Sequence, residues 1–220
     1  MNIFFWLLSL MACYSKNMAL ESNAMITKSE IILLCNKEGD CEFMGGITSG
    51  TASRILWKEN YYWLTAGHVC NSKFEDALVL ESKIKVIVAN SGISEETEII
   101  KIDYKKDLCL LKAQPNKTKS IAKNSPNPGD PVSATAYPGG IFDPKILPIY
   151  DGRWSGKITE DNLCLVTIPV AGGSSGGAIV NNNGEVVGVI SSVLEDFNHV
   201  TVTPCYEDLL DFLESLDDAE

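Results

Sequence analysis

Histidine is scarce: His68 and His199 are the only two in 220 residues, and the seven cysteines form no C-x-x-C pair. A tetrahedral metal site draws its ligands from such residues, so neither a metal nor a cofactor is expected. Basic residues are also short, 18 Lys and Arg against 29 Asp and Glu, for a net charge of −11. Phosphate backbones are held by clustered cations, which makes nucleic acid an unsuitable partner. No apolar run approaches the roughly 20 residues of a membrane-spanning helix, and no internal repeat of fixed period is present. What remains is 45% hydrophobic, 21% charged and dotted with 17 glycines. That composition excludes disorder, collagen and coiled coil, and suits a globular chain with a real core.

The apolar stretch from Ile3 to Ala12, interrupted only by Ser9, has the length of a secretory signal core. Ser22-Asn23-Ala24 places small residues where a signal peptidase reads. Residues 1–24 are therefore expected to be a signal peptide cleaved after Ala24, and the protein to be secreted or periplasmic. The segment before the apolar core carries no Lys or Arg, so a buried N-terminal helix or strand stays open as a reading. Leu10-Met11-Ala12-Cys13 also resembles a bacterial lipoprotein signal, which leaves a lipid anchor at Cys13 as a further alternative. Without Cys13, six cysteines allow 15 pairings. Cys35 and Cys41 flank a turn-rich loop compatible with a short bridge, whereas Cys109, inside an apolar strand pattern, is compatible with a free buried thiol.

Runs of β-branched and aliphatic residues alternate with Gly, Asn, Pro and Asp turns from residue 29 to 203. Expected strands in the first half are Ile31–Leu34, Gly50–Trp57, Tyr61–Thr65, Ile84–Ala89, Glu98–Ile102 and Asp107–Lys112. A turn-rich stretch between Pro115 and Pro131 reads as a linker between packed units. The second half offers Val132–Tyr137, Ile146–Tyr150, Gly152–Ile158, Leu163–Ile168, Ala178–Val180, Glu185–Ser191 and His199–Thr203. After Pro204, the spacing of Tyr206, Leu209, Leu210, Phe212, Leu213 and Leu216 predicts one amphipathic helix. The expected division is 25–118 and 119–204 for two β units, then 205–220 for a helix with an acidic tail.

Chemistry concentrates at Gly173-Ser174-Ser175-Gly176-Gly177. A G-x-S-G-G pattern arises by chance in roughly 0.5% of chains this long. Glycines around one serine permit a sharp turn, aim amides at a developing oxyanion and keep side chains clear of an approaching carbonyl. A serine hydroxyl needs a base, and histidine is the usual one. His68 sits at a strand end among small residues, in Thr65-Ala66-Gly67-His68-Val69-Cys70, and is the better candidate; His199 lies in an alternating strand pattern. Asp107 opens the apolar run Asp107-Leu108-Cys109-Leu110-Leu111. A charge there is costly unless it orients an imidazole N–H. Asp103 competes for that role but sits near Lys105 and Lys106, where solvation is the simpler account.

TAGHVC, DLCLL and GSSGGA, in the order His, Asp, Ser, resemble the trypsin-like (chymotrypsin-fold) serine peptidases, and among them HtrA-like bacterial and viral members without a PDZ domain. Ser49-Gly50-Thr51-Ala52-Ser53, Ala136-Tyr137-Pro138-Gly139 and Gly184-Glu185-Val186-Val187-Gly188-Val189 support the resemblance. It implies an all-β fold of two antiparallel six-stranded β-barrels with a C-terminal α-helix and the site between the barrels. The function it implies is serine endopeptidase activity on protein or peptide substrates. In that reading Ser175 is the nucleophile, His68 the base and Asp107 its orienter, with the N–H groups of Gly173 and Ser175 as oxyanion hole. Activity is expected to fall below about pH 6.5, where an ordinary imidazole takes up a proton. A cleft that has lost catalysis and only binds a partner is the alternative, and an esterase a lesser one.

The resemblance also exposes departures. Ser174 stands where digestive trypsins carry an aspartate that pairs with a newly cut N-terminus, so activation by that ion pair is excluded. Cys70 matches a half-cystine of those enzymes, yet Ser49 occupies the region of its usual partner. For substrate binding the resemblance points to Pro169 at the base of the first pocket, with Val170, and to Ser191, Ser192 and Val193 as a strand wall. Pro169 in place of an aspartate disfavours Lys or Arg, and Val170 and Val193 suggest a small or medium aliphatic residue. Glutamate-specific relatives carry a histidine where this chain has Ile190, leaving His199 as a substitute.

Overall fold

The first strand is far longer than the apolar run that announced it. β1 spans Asn23–Cys35 rather than Ile31–Leu34. Lys28 and Glu30 interrupt the hydrophobic pattern, yet both are buried and pair at 2.9 Å. Two residues apart on a strand, they share one face and neutralise each other there. The computed structural model describes residues 20–36, 39–71, 78–159, 163–194 and 197–216. Cys13 and the rest of residues 1–19 lie outside them. Asn23 and Ala24, which the sequence reading placed before a cleavage point, are fully buried strand residues.

Two seven-stranded antiparallel sheets make up the fold, against the six-stranded barrels expected. The first joins β1 to β2 (Cys41–Trp57), β3 (Asn60–Ala66), β4 (Leu78–Val88), β5 (Ser94–Thr97), β6 (Ile99–Asp103) and β7 (Leu108–Lys112) in the order β5-β4-β1-β2-β3-β7-β6. The extra strand here is β5, which no expected strand covers: it pairs with β4, whereas the expected Glu98–Ile102 corresponds to β6, which pairs with β7. The second sheet joins β8 (Pro131–Thr135), β9 (Ile149–Ile158), β10 (Leu163–Val166), β11 (Ala178–Asn181), β12 (Val186–Val189), β13 (Ser192–Leu194) and β14 (Phe197–Pro204), ordered β12-β11-β8-β9-β10-β14-β13. A four-residue helix, α1 (Gly67–Cys70), follows β3, and α2 (Tyr206–Glu214) closes the chain. Among the described residues no helix is long and apolar enough to cross a membrane.

The two halves are joined by more than the linker. Leu209, Phe212 and Leu213 of α2 pack with Ile55, Leu64, Leu108 and Leu110 of the first sheet and with Ala178, Val186 and Val189 of the second. One apolar cluster therefore spans the junction. Within the linker, Lys119 bridges to Ile55 and Ile121 to Val186, passing the chain from one sheet to the other.

Among the described residues three disulfides are present: Cys35–Cys41, Cys70–Cys109 and Cys164–Cys205. Such bridges persist in an oxidising compartment. The short bridge at Cys35 agrees with its turn-rich loop, but Cys109 is not a free thiol. It closes on Cys70 because β3 and β7 are neighbours in the sheet and α1 continues from the end of β3.

Lys119, only 8% exposed, buries its ammonium at the inter-barrel junction. It donates to Asn23 Oδ1 at 2.6 Å and Ser22 Oγ at 3.0 Å. The same Asn23 oxygen accepts from Thr135 of the second sheet at 2.6 Å and Ser53 of the first at 3.2 Å. Burial pushes the lysine down to about 7 from an ordinary 10.5. The unfolded chain therefore binds more protons than the folded one between pH 7 and 10.5, and stability rises with pH through that window. Urea unfolding of the wild type should show this group adding about 2 kcal/mol between pH 7 and 9. Lys119→Met should flatten the rise; an equal rise in the variant would assign it to other groups.

Candidate active site

β3 and β7 run side by side, pairing Ala66 with Leu108, which brings the residues just beyond them together. His68 lies on α1 and Asp107 immediately before β7. Asp107 adopts a left-handed backbone conformation, φ +53°, which Asp tolerates better than most residues and which often marks a functional position. Its carboxylate accepts the His68 backbone N–H at 2.7 Å through Oδ1, and lies 2.9 Å (Oδ2) and 3.1 Å (Oδ1) from His68 Nδ1. Gly67 makes this approach feasible. A Cβ on it would sit 3.1 Å from both the carbonyl carbon and Oδ1 of Asp107.

Ser191 adds a third donor, its hydroxyl bonding Asp107 Oδ2. Burial raises the Asp107 carboxyl, but the hydrogen bonds from the His68 ring and Ser191, the charge of the ring and the His68 amide outweigh it. The net direction is downward. The acid thus stays ionised when the imidazole is protonated, and Nδ1 keeps an acceptor in either state. Asp103, the competing acid, instead accepts the amides of Lys105 and Lys106 at 2.9 Å each, a local turn role.

His68 and Ser175 face one cleft of about 390 Å³, lined also by Val170, Ala171, Gly172, Ile190, Ser191, Ser192 and Val193. The Ser175 hydroxyl donates to the Ser191 carbonyl at 3.2 Å in this structure rather than to the imidazole. Ser174 is fully buried, its oxygen receiving the Ala171 amide at 3.4 Å, so of the two serines only Ser175 opens on the cleft. Among the described residues the N–H groups of Gly173 and Ser175 meet no acceptor.

The expected pocket residues divide. Val170, Ser191, Ser192 and Val193 line the cleft, whereas Pro169 is exposed and is not among its lining residues. In extended chain neighbours face opposite sides, and the pattern buried Ile168, exposed Pro169, buried Val170 places the valine, not the proline, inward. His199 is exposed on β14 and lines no part of it. The sequence analysis gave Ser191 to substrate contact alone and missed its bond to Asp107; the meeting of a residue just past β12 with one just before β7 is not written in any local motif.

Comparison with known proteins agrees with this architecture. The family model described as a trypsin-like peptidase domain matches residues 50–189. No curated protein matches the sequence. Among solved structures, a serine endoprotease from Yersinia pestis superposes with a TM-score of 0.66 at 22% identity, over 92% of this chain and 66% of that one. The active form of the Rv3671c protease of M. tuberculosis gives 0.62 at 16%, over 90% and 82%. The HtrA-type protease AlgW, with a decapeptide, gives 0.71 at 16%, over 94% and 67%. These likenesses show a shared fold. The chain spans about two thirds of the Yersinia pestis protein's length, and with the family model covering more than half of its own, it belongs to the family of trypsin-like peptidase domains.

Proposed function

We propose that this protein hydrolyses peptide bonds through an acyl-enzyme on Ser175. The observation that carries the reading is the hydrogen-bonded pair His68 and Asp107, 2.9 Å between Nδ1 and Oδ2, beside the cleft that Ser175 shares. His68 is 49% exposed and Asp107 24%, so the base can meet a substrate while its acid partner is half-shielded. Ser175 Oγ leaves the Ser191 carbonyl by a χ1 rotation, a fast motion for a serine. It then gives its proton to His68 Nε2 and bonds the substrate carbonyl carbon. The N–H groups of Gly173 and Ser175 stabilise the oxyanion, His68 returns the proton to the leaving amine, and the amine departs. A water then repeats the sequence and releases the acid. Asp107 remains ionised throughout and holds the imidazole tautomer.

Val170, Ile190 and Val193 give the cleft an aliphatic lining, and among the residues lining it His68 is the sole ionisable side chain. That favours small to medium aliphatic side chains at the cut residue and disfavours Lys, Arg and Glu. We place the protein outside the cytoplasm, in keeping with its three disulfides.

A fluorophosphonate probe tests the reading directly. It is expected to add once, with the adduct mapped to Ser175, and a peptide library is expected to be cut after Val-, Ala- or Leu-sized residues. No adduct on folded protein would favour the binding-only alternative. Preferred cutting after Lys or Glu would overturn the pocket assignment.

A further inference from the structure

Thr51 lies on β2, in the other barrel from the serine loop, and is fully buried. Its hydroxyl serves only the second barrel. It donates to Gly173 O at 3.0 Å and accepts the Tyr137 N–H at 2.9 Å. Its backbone N–H donates to Ser175 O at 2.7 Å, and its carbonyl accepts from Thr65 Oγ1 at 2.8 Å. One residue of the first barrel therefore grips Tyr137, Gly173 and Ser175 together.

Tyr137 leads into the tight turn Pro138–Gly140. In that turn Gly139 donates its N–H to Gly172 O at 2.5 Å. Gly173, with φ +91°, packs so closely on the turn that a Cβ would come 2.7 Å from Tyr137 O and 2.9 Å from the nitrogens of Gly139 and Gly140. In a trans peptide the C=O and N–H point opposite ways. With Gly172 O held on the turn, the Gly173 N–H faces away from it. Rotation of that peptide would aim a carbonyl where the oxyanion forms, replacing attraction with repulsion. Two successive glycines make such rotation easy, and the Ser174 side chain supplies no charged anchor to prevent it, its hydroxyl oxygen accepting the Ala171 amide at 3.4 Å.

We propose that Thr51 is a positioning residue for the oxyanion-binding amides. Its hydroxyl ties the Tyr137 turn to Gly173, and the turn in turn holds the Gly172–Gly173 peptide with its N–H turned outward. The inference rests on the proposed chemistry at Ser175. Thr51 itself touches no substrate.

Thr51→Val keeps the shape of the side chain and removes the hydroxyl. It should lower kcat on a peptide substrate by about 10–100-fold with KM within about threefold, because the lost interaction is made in the transition state. Fluorophosphonate labelling should slow in parallel. Thr51→Ser, which keeps the hydroxyl, should stay within about threefold of wild type in kcat even where its thermal midpoint drops. A purely structural role would instead make rate follow stability across the variants. Should Thr51→Val fail to fold, Thr51→Ala against Thr51→Ser gives the same comparison, as those two differ only in the hydroxyl. Equal rates with and without the hydroxyl, in a wild type that labels at Ser175, overturn the proposal alone. A wild type that does not label at Ser175 overturns the proposed function, and this inference with it.

Discussion

Ser175→Ala is expected to lower kcat on peptide substrates by about 10⁵–10⁶-fold and to abolish fluorophosphonate labelling. The size follows from what the hydroxyl does: without it there is no acyl-enzyme, and only binding and the loop amides remain to assist attack by water. The substitution removes a single oxygen whose partner is the Ser191 carbonyl at 3.2 Å, so the folded state should lose little. The control is Ser174→Ala, one position away in a fully buried site. It is expected to retain hydrolysis within about tenfold, because its oxygen makes one long contact and does not reach the cleft. Comparable loss in both variants would mean that the loop, not the Ser175 nucleophile, carries the effect, and would remove the basis for the proposed mechanism.

Asp107→Asn should reduce kcat by about 10⁴-fold at pH 7 with little change in thermal midpoint. Asn adopts the left-handed conformation found at Asp107 at least as readily as Asp does, so φ +53° can be kept. What changes is the hydrogen-bond pattern. An amide nitrogen facing Nδ1 donates where the carboxylate accepted, which favours the wrong imidazole tautomer and leaves a protonated ring without a counter-charge. Because hydrogen bonds and the His68 ring hold the Asp107 carboxyl below its ordinary value, protonation of this acid should not set the acid limb of the wild-type pH profile. Steady-state kinetics at several pH values would check both points. A kcat within tenfold of wild type for Asp107→Asn would remove Asp107 from its orienting role.

Local signals were legible in the sequence and long-range ones were not. The cleft-lining His68 and Ser175 and the acid beside the imidazole each sit in a short run of small or apolar residues that declares a turn at a strand end. The helix Tyr206–Glu214 was readable from its spacing, since its apolar side meets one continuous cluster. By contrast, β1 hid behind Lys28 and Glu30, which count as surface residues until their buried ion pair is seen. Cys70 with Cys109, Ser191 with Asp107 and Thr51 with Gly173 are separated by 39, 84 and 122 residues. Each depends on which strands become neighbours, and no local pattern encodes that. Pro169 and Val170 show the smaller limit: the resemblance points to both, and the alternation of an extended chain decides which of the two neighbours faces the cleft.

The Cys70–Cys109 bridge lies two residues beyond His68 and two beyond Asp107, so both halves of the pair hang from one sulfur link. A peptidase exposed to its own kind risks being nicked in its surface turns, and the 39-residue excursion between these cysteines includes the turn around Asn90 and Gly92. A clip there would leave two fragments that cannot drift apart while the sulfurs stay oxidised. Such a nicked enzyme would keep its imidazole and acid as one covalent body, and would part with them only on meeting a reductant.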